Sequence, residues 1–297
     1  MGTKLSDHLI TATLILIRSL PIGVSVFTSR LITLFYLFFR PDYRQEIEAN
    51  YRAIFNRPAH RFWIRNAWTV GKNLALMAKI GTPLVTKLVD RAKIYQENYN
   101  CGERLEQKMH TIMASFHFGL WEFLPQVYSA LGFDVGLMLS TQRSPALDRR
   151  LRLLREQGGV QLLYSLRALL KRIRGPGITG FMLDNTSRGS TRQVFLKTTE
   201  RGLLGLRLPG LAFRIAAKSG TRVVPLFCYL SRGRLIVRIF PEGDEQDCAR
   251  ALLKMVNSNP SEWIFWAKSG ALARLKPCPT VGQTFRFASR SNAPISR

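Results

Sequence analysis

The chain has 297 residues, 46% of them hydrophobic, which is enough to bury a substantial core as one large domain or two small ones. The net charge is +25, and 32 of the 44 basic residues are arginine, so the fitting partners are anionic: nucleic acid, an anionic membrane surface, or phosphorylated substrates and acidic carriers. The four cysteines show no C-x-x-C pairing and no histidine at ligand spacing, so nothing points to a disulfide framework or zinc site, which fits a reducing compartment; the absence of a G-x-G-x-x-G or Walker A loop disfavours nucleotide chemistry.

Residues 9–39 are almost entirely apolar or small, with Arg18 and Arg30 as the charges. The run exceeds the ~20 residues needed to span a bilayer, but Pro21 interrupts it, and a central arginine costs a few kcal/mol there. It is too long for a secretory signal and has no evident cleavage site. We expect a retained anchor, either one spanning helix or two helices in the interface with the arginines snorkelling. Arg40, Arg44, Arg52 and Arg57 follow as a basic collar suited to anionic headgroups on the cytoplasmic side. A buried hairpin of core helices is the alternative. A nucleic-acid binder has no need of such a segment, and no nucleic-acid partner is expected.

Residues 42–110 read as helices, broken at Arg57-Pro58 and Gly81-Thr82-Pro83. From 111 onward, strands and helices alternate. The pattern predicts strand 111–117, helix 119–132, strand 134–140, helix 145–157, strand 160–163 and helix 165–173. Strand 178–183 then ends at Asp184, and helix 209–219 is capped by Gly220. Strands 222–228 and 234–240 form a hairpin over Ser231–Arg234, before helix 244–257 and a Trp-rich tail. This alternation implies an α/β fold: a mostly parallel central sheet flanked by helices, here joined to a hydrophobic N-terminal helical membrane anchor. We divide the chain into an anchoring segment, 1–41, and the α/β domain, 42–297.

Strand 111–117 ends in His117, and Glu122 follows five positions later, across a strand-to-helix turn. Such turns expose reactive side chains at the carboxyl end of a sheet. Of the four histidines, only His117 has an acidic residue at that spacing. Glu122 in a first helical turn, folding back on the ring, gives a general base with a stabilised imidazolium. A strand-end histidine paired with a helix-terminal glutamate for stability fits the same residues. Asp184 also fits a strand-end cap, and Arg143 a solvated loop arginine.

Taken in order, the N-terminal apolar run, His117-x4-Glu122, Ser140-Thr-Gln-Arg143, Leu183-Asp184-Asn185, Leu208-Pro-Gly and Pro260-Ser-Glu-Trp263-Ile-Phe-Trp266 resemble one family. It is the lipid A biosynthesis lauroyl/myristoyl acyltransferase family of the lysophospholipid acyltransferase superfamily, which also includes phosphatidylinositol mannoside acyltransferases. The resemblance covers roughly residues 5–275 and rests on order and spacing. It implies His117 as catalytic base, Glu122 as its acidic partner, and Arg143 and Asp184 as substrate-binding residues. The sequence departs from the family pattern at Asn185 and Glu262, where the family has Gln, and at Val194–Lys197 and Ala267–Ser269, where acceptor recognition is expected.

The function so implied is a membrane-associated acyltransferase. It moves a fatty acyl group from an acyl-carrier-protein or CoA thioester to a hydroxyl, or an amine, of a lipid A-like or other glycolipid or phospholipid acceptor. No metal and no cofactor are expected, and anionic membrane lipids are expected partners. The expected place is the bacterial inner membrane, with the catalytic domain on the cytoplasmic side. The rival reading is a basic peripheral-membrane protein that binds anionic lipids without catalysis.

Overall fold

The computed structural model describes residues 2–97, 109–139, 145–184, 191–197 and 203–267. Five helices come first: α1 (Gly2–Ser19), α2 (Ile22–Phe38), α3 (Pro41–Phe55), α4 (Phe62–Met77) and α5 (Pro83–Asp90). The apolar N-terminal run is thus two helices, because Pro21 has no amide hydrogen to continue α1 and instead starts α2. Then follow β1 (Lys93–Gln96), β2 (His110–Ser115), α6 (Phe123–Ala130), β3 (Val135–Met138), α7 (Pro145–Glu156), β4 (Gln161–Leu163), α8 (Leu166–Arg172) and β5 (Gly177–Met182). The last part holds β6 (Thr191–Lys197), β7 (Leu203–Pro209), α9 (Leu211–Ser219), β8 (Arg222–Ser231), β9 (Arg234–Ile239) and α10 (Glu245–Ser258). Two short 3₁₀ turns, Pro260–Glu262 and Phe265–Ala267, close the described chain.

Seven strands make one sheet in the order β1-β9-β8-β2-β5-β3-β4, and every pairing is parallel except β8 with β9. The fold is therefore mixed α/β with a mostly parallel seven-stranded sheet. β1 and the separate antiparallel pair β6–β7 were not among the predicted strands: β1 is exposed throughout and lacks the buried run that marked the others.

Alternation along β2 divides the core. Ile112 and Ala114 face one way, into a cluster with α8, α9, α10, the β6–β7 pair and the turn after α10. Met113 faces the other way, into a cluster with α5, α6, α7 and the end of α4. Successive strand side chains point to opposite faces, so a fully buried β2 needs helices on both sides.

The N-terminal helices lie against this body. α2 crosses α4 where Gly71 meets Ser29 and Arg30, and a Cβ at Gly71 would come within 2.6 Å of the Arg30 Cα. Arg18 donates to the Ala78 and Ile80 carbonyls at the end of α4 (2.9 and 2.6 Å), and the Arg30 guanidinium lies over the Trp68 ring (4.7 Å). Both charges of the apolar run are thus turned inward. The residues left exposed include Val24, Phe27, Phe35, Phe38 and Phe39. No single helix among the described residues is long and apolar enough to cross a membrane; α2 and α3 together reach that length and composition but are bent by 95°.

Candidate active site

β2 and β5 are neighbours in parallel register, with Ser115 opposite Met182. His117 and Asp184 each lie two residues beyond that pair, so they leave the sheet side by side at its carboxyl edge. β2 also sits where the topology divides: β5, β3 and β4 lie to one side of it and β8, β9 and β1 to the other. In parallel α/β sheets this is where binding crevices open.

Asp184 is fully buried and accepts three hydrogen bonds. Its Oδ1 lies 2.7 Å from His117 Nδ1, and its Oδ2 accepts from the His117 backbone N–H (2.8 Å) and the Trp263 indole N–H (3.1 Å). A carboxylate offers only acceptors, so Nδ1 carries the ring hydrogen and Nε2 is the nitrogen left to accept a proton. The ring is held between Trp121 and Phe265, at centroid distances of 5.0 and 4.4 Å, and its side chain keeps 18% exposure.

The backbone around His117 is tightly fixed. The Phe118 N–H donates back to the Phe116 carbonyl (2.6 Å), making a three-residue turn centred on His117. Gly119 follows at φ +62°, where a Cβ would lie 2.3 Å from the Cys228 carbonyl oxygen, so only glycine fits. The Gly119 amide donates to the Glu262 carbonyl (2.9 Å), the Leu120 amide to Cys228 (2.7 Å), and the Ile264 amide to the His117 carbonyl (3.0 Å). The amides of Phe118, Gly119 and Leu120 are therefore all committed within the protein and are not available to stabilise an oxyanion.

Glu122 takes a different place from the one its spacing suggested. It is the N-cap residue of α6, and its carboxylate is gripped in bidentate fashion by Arg155 of α7 (2.6 and 2.9 Å). Asp184, rather than Glu122, binds the His117 ring nitrogen. Burial pushes the Glu122 carboxyl up, but the Arg155 guanidinium, with a smaller contribution from His117, outweighs it and holds the group below its ordinary value. Glu122 thus belongs to the site's surroundings as a buried anion tying the His117 turn to α7. Arg143, the other expected substrate-binding residue, lies outside the described residues.

Two contributions escaped the sequence reading. Trp263, which the sequence marked only as part of the Trp-rich tail, donates to Asp184 and pairs antiparallel with Phe118. Glu262 is buried and accepts from Asn73 (2.6 Å) and Lys72 (3.2 Å) of α4, while Asn66 on the same helix donates to the carbonyls of Ser261 and Trp263. Helix α4 therefore grips the 260–266 turn, which in turn grips the His117 loop. Asn66 and Asn73 stand seven apart, a two-turn repeat on an otherwise apolar face, and that is the signal that marks them.

Chemically, the arrangement is a histidine whose free nitrogen faces away from a buried, fully hydrogen-bonded carboxylate. That geometry suits proton abstraction from a hydroxyl or amine. No protein-family model matches the chain, and a search among curated proteins finds no match.

Proposed function

We propose that the chain is a membrane-associated acyltransferase acting on a lipid acceptor. His117 Nε2 takes the proton of the acceptor hydroxyl, or amine, as that atom attacks the carbonyl of an acyl-carrier-protein or CoA thioester. Asp184 fixes the tautomer and stabilises the imidazolium that forms. The proton is then available to the departing thiolate as the tetrahedral intermediate collapses. General-base assistance of this type supplies on the order of a hundred- to ten-thousand-fold in rate. Glu122 acts through Arg155, holding α7 beside the His117 turn, and is a positioning residue in this scheme.

The observation that carries the reading is the His117–Asp184 pair at the carboxyl edge of the parallel sheet. The outward apolar residues of α2, followed by Arg40 and Arg44, support a peripheral anchor in an anionic membrane, the bacterial inner membrane on its cytoplasmic side in this reading. The same apolar face also suits a protein that binds anionic lipid without chemistry. Lipid mass spectrometry of cells expressing wild-type or His117→Ala protein separates the two. Acylated lipid made by the wild type and absent with the variant is the enzyme's outcome. Identical lipid profiles, with membrane binding intact, leave the binder.

A further inference from the structure

At the same end of the sheet as His117, α5, the start of β1 and the β8–β9 turn enclose a groove of about 570 Å³. Lys87 comes from α5, Arg91 from its C-cap, Lys93 from β1, and Arg232 and Arg234 from the hairpin; no carboxylate lines the groove. All five cations are exposed, and none forms an ion pair with a described residue. Asp90 lies in the adjoining depression with Lys87 and Arg91. The concave surface between α9 and α10 is a contrast: there Arg192 meets Glu245 (2.7 Å) and Arg222 meets Glu242 (3.5 Å). The groove thus gathers five cations from three elements on one concave surface, with no acid among its lining residues.

Local reasons account for only part of this. Lys87 and Arg91 stand at the carboxyl end of α5, where the helix favours cations. Lys93, Arg232 and Arg234 have no such reason. Arg232 occupies the left-handed region (φ 47°) ahead of Gly233 (φ 74°) in the two-residue turn, at a cost of about 1 kcal/mol that Asn or Gly would largely avoid. The groove is also amphipathic. Leu84, Lys87, Leu88 and Arg91 follow the i, i+3, i+4, i+7 spacing of one helix face, so apolar and cationic side chains alternate along it.

We infer that this groove binds a ligand carrying clustered phosphates, a diphosphate or two neighbouring phosphomonoesters, with an adjoining apolar part lying on Leu84 and Leu88. Guanidinium forks match phosphate oxygens bidentately, and several cations from three elements converge best on more than one phosphate. The site is distinct from the His117 pocket: β9 and β1 lie two and three strands from β2, roughly 10–15 Å across the sheet. It stands whether or not the chain transfers acyl groups.

The test is calorimetric titration of the purified full chain with inorganic pyrophosphate and with orthophosphate, at constant ionic strength. The Arg91→Gln/Arg234→Gln double variant is compared with a control, Arg149→Gln/Lys218→Gln, that removes the same charge from other exposed positions. The expected result is pyrophosphate bound roughly tenfold more tightly than orthophosphate, weakened at least about tenfold by the groove variant and little changed by the control. Unaltered thermal unfolding of both variants excludes a folding effect. Vesicles with and without an anionic phospholipid distinguish the ligand's source. Pyrophosphate displacing the protein from anionic vesicles identifies a lipid headgroup, and pyrophosphate binding with vesicle binding unchanged in the groove variant identifies a soluble ligand. Absence of pyrophosphate binding by the wild type, or equal losses in the groove and control variants, overturns the inference.

Discussion

Asp184 Oδ1 lies 2.7 Å from His117 Nδ1, although 67 residues separate the two in sequence. The contact follows from register. Ser115 pairs with Met182, the two strands run the same way, and each polar residue overhangs its strand by the same two positions. A parallel ladder therefore turns equal overhangs into a contact, and burial of Asp184 with three donors makes that contact rigid.

The first prediction concerns this pair. Asp184→Asn keeps the shape but replaces an acceptor-only group with an amide, which no longer imposes the Nδ1–H tautomer or stabilises an imidazolium. Acyl transfer is expected to fall about a thousand- to ten-thousand-fold, as when the orienting aspartate of a catalytic triad is replaced. Rates of purified protein against a thioester donor check it. A loss of less than tenfold in a folded variant would remove Asp184 from the mechanism.

Glu122 gives the opposite pattern. Removing one partner of a buried ion pair leaves the other charge uncompensated, so Glu122→Gln is expected to destabilise the fold by about 3 kcal/mol, read by denaturant unfolding. Replacing both partners, Glu122→Gln with Arg155→Met, is expected to recover much of that loss. The sign of the pH dependence is fixed as well. The folded carboxyl sits below its unfolded value, so its contribution is present above the unfolded pKa and is lost as pH falls through the folded one. Wild type and Glu122→Gln should therefore converge in stability in acid.

Much of this architecture is legible in the residues because buried strands and their helices carry apolar periodicities that survive in one sequence. The runs ending at His117 and Asp184 predicted both strands, and the apolar runs 222–228 and 234–240 predicted the β8–β9 turn over Ser231–Arg234. Partner choice was less legible. His117 and Glu122 are close in sequence, but the Phe116–Phe118 turn and the N-cap position of Glu122 carry the carboxylate toward α7, and a neighbouring strand supplies the acid instead. Trp263 and Glu262 were hidden for a related reason. Their roles depend on α4 and on a turn about two hundred residues away, for instance Asn66 with Trp263 at a separation of 197. No local pattern encodes that meeting.

His110 supplies a second acid-sensitive element, remote from chemistry at the start of β2. Its Nδ1 donates to the Gly175 carbonyl (2.8 Å), and its Nε2 accepts from the Thr179 hydroxyl (2.9 Å). Burial, reinforced by nearby Arg172 and opposed by the Gly175 bond and Asp134, lowers its pKa below the ordinary 6.5. The unfolded chain then binds a proton that the native state refuses, so stability rises with pH across this window. The stabilisation is complete above about 6.5 and is lost as pH falls through the lower folded value. Thermal midpoints of wild type are expected to fall between pH 7.5 and 5 more steeply than those of His110→Gln; parallel curves would show that the group does not titrate differently on folding.

The last prediction concerns the outer face of α2. Gly71 receives the backbone of Ser29 and Arg30, and Arg18 binds the carbonyls ending α4, so α1 and α2 are built into the body. Deleting them would expose α4 and confuse unfolding with loss of membrane binding. Point changes are the cleaner probe. Phe35 and Phe39 are 60% and 72% exposed, and each buried aromatic would contribute up to about 2–3 kcal/mol on entering an apolar interface. Phe35→Ser with Phe39→Ser is therefore expected to weaken binding to anionic vesicles at least about tenfold, with the unfolding midpoint nearly unchanged. Vesicle flotation and thermal unfolding of the same preparations decide it. Unaltered flotation would mean that a different surface holds the protein to lipid, and an altered midpoint would mean that these rings pack against the protein itself.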